Sequence, residues 1–216
     1  HEIVPPGQRS AYFSSETAVT QVINVLIMLA QAALLAGGDA GMDRFLAIYA
    51  IGILMGFWSL VWMRRIPGGG PIEGMNPIRF RDEFQTCAAA VRDIPFLKFM
   101  LVVSFGISSM CWFGAANVMY MRDVLRLPDS ITMSINALAS LGVLLTVGSW
   151  GRFTERNGSG RAMFKSLVGH GCAVLIVLLL PADSPWAGHG MAAVMVLCAV
   201  FCAAYGVAIN RAMLNQ

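Results

Sequence analysis

Residues 131–180 read ITMSINALASLGVLLTVGSW, then GRFTERNGSGR, then AMFKSLVGHGCAVLIVLLL. Two apolar runs flank a short stretch that holds three arginines and a glutamate. A helix of about 20 apolar residues crosses the hydrocarbon core of a bilayer, and a strand in a soluble sheet needs far fewer. The stretch therefore predicts two membrane-spanning helices joined by a charged turn.

The same unit recurs on both sides. Apolar runs at 17–36, 45–63, 99–119 and 190–209 bring the expected number of spans to six, with 131–150 and 162–180. No proline interrupts a run; Pro67, Pro95, Pro128, Pro181 and Pro185 stand at or beyond run ends, where proline closes or opens helices. A secretory signal would supply one short apolar core, not six. Composition agrees: 57% of residues are hydrophobic and 12% charged, and mean hydropathy is +0.67. Soluble domains carry about 25% charged residues. A net charge of +3 gives no electrostatic footprint for nucleic acid. The expected fold is all-α, a polytopic transmembrane helix bundle.

Charge placement orients the bundle. Six crossings sort the connections into two sets, and twelve of the fifteen Lys and Arg fall in one of them. Only Arg44, Arg122 and Arg126 fall in the other. Basic residues collect in short cytoplasmic loops, so both ends of this sequence are expected in the cytoplasm. The longest connection, 64–98, begins with Pro67-Gly68-Gly69-Gly70-Pro71, a flexible linker. Asn76-Pro77 then suits a helix start, and Phe80, Phe84, Cys87, Ala88 and Val91 recur at helical spacing. That helix either lies on the cytoplasmic membrane surface or packs on the ends of its neighbours. The chain starts at His1 and stops at Gln216 just past the sixth run, which reads as a portion cut from a longer polypeptide.

The five cysteines form no CxxC pair and have no histidine at metal-ligand spacing. Cys198 and Cys202, four apart on one helix face, are read as packing, and so is the Gly52-x-x-x-Gly56 spacing. No metal or cofactor is expected. No Asp, Glu, Lys or Arg lies deep in a run, and His170 is the one titratable exception. A lone histidine there is either hydrogen-bonded to a neighbour or a proton relay. Gln21, Asn24 and Gln31 share one face of the first run, within roughly 80°; hydrogen bonds to adjacent helices are expected of them. Ser109, Phe113, Asn117 and Tyr120 form a line on the third.

The turn itself carries a resemblance. Gly151-Arg152-Phe153-Thr154-Glu155-Arg156-Asn157-Gly158-Ser159-Gly160-Arg161 resembles the cytoplasmic loop signature G-x-L-x-D-R-x-G-R-R of the major facilitator superfamily. Both glycines, the acid and the adjacent arginine match in register. The departures are Phe153 for Leu, Glu155 for Asp, and Ser159-Gly160 ahead of a displaced Arg161. Three further stretches are similar to that family: Pro5-Pro6-Gly7-Gln8-Arg9-Ser10, Asp93-Ile94-Pro95-Phe96 and Leu125-Arg126-Leu127-Pro128. Together they resemble helices five to ten of a twelve-helix member. On that alignment 1–63 ends the N-terminal half, 64–98 is the cytoplasmic linker and 99–216 opens the C-terminal half.

The resemblance implies secondary transport of a small solute, with or without a coupling ion, by alternating access in the cell membrane. It implies that Gly151, Glu155, Arg156, Gly158 and Arg161 form a cytoplasmic gate against the start of the first span near Ser14, Ser15 and Glu16. The alternative is a charged turn that only fixes topology. It also implies cavity-lining roles for Ser109, Asn117, Tyr120 and Tyr205. The partners implied are the lipid bilayer and the remaining helices of the same chain. A transporter-like sensor that binds without translocating is the second reading. An intramembrane enzyme is the third, and it lacks a G-x-S-x-G elbow or an acid beside His170.

Overall fold

The computed structural model describes residues 9–36, 42–63, 92–181 and 184–214. Those residues form six long helices: α1 Arg9–Leu35, α2 Met42–Met63, α3 Ile94–Met119, α4 Asp129–Asn157, α5 Ser159–Leu179 and α6 Ala187–Leu214. No strand occurs among them. All six helices are long and apolar enough to cross a membrane. The amphipathic helix expected over 76–91 lies outside the described residues.

Each expected span is present, and most run past the apolar stretch that predicted them. Helix α4 continues through Gly151 to Asn157, so most of the charged turn is helical. The reversal falls on Gly158 alone, at φ 84 and ψ 154, a region open to glycine and costly for other residues. Its amide donates to the Thr154 carbonyl and closes α4. Charged side chains end a hydrophobic run without ending a helix, because backbone hydrogen bonding does not distinguish lipid from headgroup. For the same reason α1 begins at Arg9, and Ser14, Ser15 and Glu16 lie inside it rather than at its start.

The chain divides into two compact units, one of residues 1–38 and 108–216, the other of 39–107. In the smaller unit, α2 buries none of its side chains, and a Cβ added at Gly52 or Gly56 would meet nothing within 4 Å. The close packing expected at that glycine pair is therefore absent among the described residues.

In the larger unit α1 packs along α4, while α4 and α5 both pack on α6. Helix α4 sits centrally and buries Ile135, Ala139, Val143 and Val147 at helical spacing. Val143, Val147 and Val207 form one cluster, closed by Ala18 of α1 and Ala199 and Ala203 of α6. Ala173, Val194 and Cys198 join α5 to α6, with Phe113 of α3 against them. A third cluster, Met121, Ile135 and Met191, caps the opposite end. There α3 passes into a π-helical turn, Tyr120–Val124, in which Leu125 N–H reaches the Tyr120 carbonyl.

Close approach depends on small residues. At Gly142 an added Cβ would stand 2.5 Å from Val196 Cγ1, and at Gly169 it would stand 2.4 Å from the Phe201 ring. Three hydroxyls of α4 and α5 are satisfied locally: Thr146, Thr154 and Ser166 each donate to a carbonyl one turn back at 2.8 Å. Large apolar side chains point outward, with Leu145 and Trp112 81% and Leu179 80% exposed. Such a surface suits acyl chains, where backbone polarity must be satisfied internally as it is in a helix.

Candidate functional site

A cavity of about 460 Å³ opens within the larger unit, near the middle of its helices. Thr17, Gln21, Asn24 and Met28 line it from α1, and Asn136, Ser140 and Val143 from α4. The remaining wall comes from Met110 and Phe113 of α3, His170 of α5, and Met195, Cys198, Cys202 and Asn210 of α6. Periodicity explains the α1 wall, since steps of three and four residues keep Thr17, Gln21, Asn24 and Met28 on one face. On α4 the sequence Asn136, Ala139, Ser140, Val143 does the same.

Gln21 and Asn24 depart from the sequence expectation. Neither side chain bonds a described residue; both face the cavity. Their helical face was legible, whereas the space opposite it depends on how α4 and α6 sit. Asn136 donates its Nδ2 to the Thr132 carbonyl at 3.0 Å, which anchors the amide to its own helix. The result is a hollow lined by amides and hydroxyls inside an otherwise apolar bundle. Polar groups removed from water must find partners, and a hollow of this size offers them water or solute.

His170 stands on the α5 wall and is 3% exposed. Its ring meets Phe113 edge-on, with centroids 5.4 Å apart. Nδ1 lies 3.6 Å from Cys202 Sγ, and Nε2 has no hydrogen-bond partner. The reading of Cys198 and Cys202 as packing accounts for only part of their surroundings: Cys198 is buried in a core cluster, yet both residues also line the cavity.

Ser109, Asn117, Tyr120 and Tyr205, expected to line a cavity, are not among the residues that line this hollow. Ser109 is exposed on the outer side of α3. Asn117 is buried one turn beyond Phe113, with Nδ2 against Met195 Sδ and Oδ1 unpartnered. It thus touches a cavity-wall residue without being part of the wall. Tyr120 packs on the cluster of Met121, Ile135 and Met191. Tyr205 is buried within the bundle and is not among the residues that line the hollow, although its neighbour Gly206 is.

At the turn, Gly151 is buried inside α4, Glu155 and Arg156 are exposed in its last turn, and Arg161 is exposed in the first turn of α5. Neither Glu155 nor Arg156 forms an ion pair with a described residue. Lys165 lies over the Phe153 ring, 4.8 Å from its centroid, which ties the two helices together across Gly158. Ser14 Oγ, on the α1 segment expected to meet this turn, is buried without a partner.

Comparison of the chain with family models, with curated proteins and with solved structures returned no match.

Proposed function

We propose that this chain is part of a secondary transporter of the major facilitator type, moving a small solute across the cell membrane by alternating access. The cavity carries the reading: a hollow of about 460 Å³ with Gln21, Asn24, Asn136, Ser140 and Asn210 on its walls is a feature a purely structural bundle would fill with apolar side chains. Helices of two kinds border it. In the proposed alignment α1 belongs to the N-terminal half and α3, α4, α5 and α6 to the C-terminal half, so solute would sit between halves that rock. Both ends of this sequence, and the α4–α5 turn, then face the cytoplasm. Glu155 and Arg156 form no ion pair with a described residue, and a latch would have them engage a partner in one of two states.

The test is accumulation. The purified protein is reconstituted in vesicles and offered a panel of labelled small solutes, with and without an imposed proton or sodium gradient. Uphill accumulation of one solute supports the reading. Saturable binding without uptake under every gradient would replace it with a sensor.

A further inference from the structure

We propose that the hollow takes a small uncharged solute with a hydrogen-bond donor beside an acceptor on one edge, the chemistry of a primary carboxamide, and an apolar body. The proposal rests on the reading of this hollow as the solute site and names the class of solute. Thr17, Gln21 and Asn24 present one polar face of α1 to the hollow, and Asn136 and Ser140 present a second from α4. All five are half-buried.

These polar groups still have hydrogen bonds to give. Asn136 commits its Nδ2 to the Thr132 carbonyl and keeps Oδ1 as an acceptor. Thr17, Gln21, Asn24 and Ser140 form no side-chain hydrogen bond with a described residue. A side-chain amide holds its donor and acceptor side by side. Gln21 and Asn24 therefore match a solute edge that offers the same two groups in the opposite order. Polar groups withdrawn from water without such a partner cost free energy, which a carboxamide edge would relieve.

The same walls disfavour an ion. No Asp, Glu, Lys or Arg is among the lining residues, and His170 meets the Phe113 ring and Cys202 Sγ rather than a carboxylate. A carboxylate or ammonium entering here would leave water and gain no opposite charge, which is the expensive way to bury an ion. The rest of the wall selects the body. Met28, Met110 and Met195, with Phe113, supply thioether and aromatic surface. Methionine moulds to irregular apolar shapes and makes favourable contacts with rings. A ring or short chain can lie on that surface while its amide edge meets α1. A polyol, polar on every side, would set hydroxyls against it without partners.

The experiment uses the purified full chain in detergent and three probes on one ring: benzamide, benzoate and benzylammonium, at neutral pH. Binding is measured by equilibrium dialysis against protein-free micelles. Benzamide is expected to bind more tightly than either ion by more than about 10-fold. Gln21→Met and Asn24→Leu remove an amide at similar size, and each is expected to weaken benzamide roughly 2–10-fold, the loss of a neutral hydrogen bond. Because a variant can misfold, alkylation of the wild type gives a second readout. Benzamide should slow the reaction of Cys202, which lines the hollow, and leave Cys172, exposed on α5, unchanged. Benzoate should slow neither. Failure of benzamide to bind or to shield Cys202, or binding of an ion as tightly, overturns the proposal. Uphill accumulation of a charged solute in vesicles would overturn the solute class and leave transport intact. Benzamide binding with no accumulation of any solute would uphold the class and remove transport.

Discussion

Gly142→Ala adds one methyl group where α4 meets α6, and the geometry assigns it a large effect. The new Cβ would stand 2.5 Å from Val196 Cγ1 and 3.6 Å from both Val196 Cβ and Val200 Cγ2. Valine in a helix is held in one χ1 rotamer, so Cγ1 cannot swing aside cheaply. The helices must separate instead, and overpacking of this kind costs about 1–3 kcal/mol. Alanine also gains up to about 1 kcal/mol over glycine in helix propensity. Gly148→Ala on the same helix isolates the two effects, since a Cβ there meets nothing within 4 Å. The propensity gain is common to both variants and cancels in their comparison. The difference of about 1–3 kcal/mol is the overpacking alone, a factor of roughly 5–150 in the folding equilibrium. It would be read by denaturant-driven unfolding in detergent micelles followed by helical circular dichroism. Val196→Ala removes the obstructing methyls, so the double variant Gly142→Ala/Val196→Ala should recover most of the loss. Equal stabilities for the two glycine variants, or no recovery in the double variant, would refute the close approach of α4 and α6.

Three other outcomes follow from the same geometry. Gly158→Ala should destabilise by about 1–3 kcal/mol in the same unfolding assay, because alanine rarely adopts the conformation that closes α4. In a cysteine-free background, Asn24→Cys and Asn136→Cys should react with a membrane-impermeant thiol reagent, whereas Leu145→Cys and Leu178→Cys, which face outward, should not; equal labelling of all four would dismiss a water-filled hollow. Glu155→Gln should slow solute turnover in vesicles with solute affinity unchanged, since the side chain is remote from the cavity wall and acts, on the proposed reading, only in switching between states; unaltered turnover would reduce the turn to a topological marker.

The six helices were legible because a bilayer demands a long apolar run for each crossing, and that demand leaves its mark on every span. Their ends were less so. Residues 151–157 carry the charges of a loop and the backbone of a helix, and only Gly158 breaks the hydrogen-bond ladder. The candidate site was legible by face and illegible by depth. Periodicity put Gln21 with Asn24 and Cys198 with Cys202, correctly on shared faces, but it could not say that the first pair meets open space or that the second meets a histidine 32 residues earlier in the chain. A helix face is a local property of the sequence, whereas a cavity is defined by the helices around it.

That distinction bears on Asn117. Its line on α3 with Phe113 ran toward the hollow, yet its amide ends against Met195, one turn past the wall. An amide buried with Oδ1 unpartnered holds α3 to α6 through one weak N–H···S contact and pays for a lone carbonyl. Met195 therefore meets the Asn117 amide and also lines the cavity. Asn117→Leu removes that amide without opening a void, and its effect on fold stability should stay within about 1 kcal/mol, because exchanging a half-satisfied polar group for an apolar one of similar size is close to neutral. A loss of stability well beyond that bound, read in the same unfolding assay, would make Asn117 a structural tie between α3 and α6, with Met195 as its anchor.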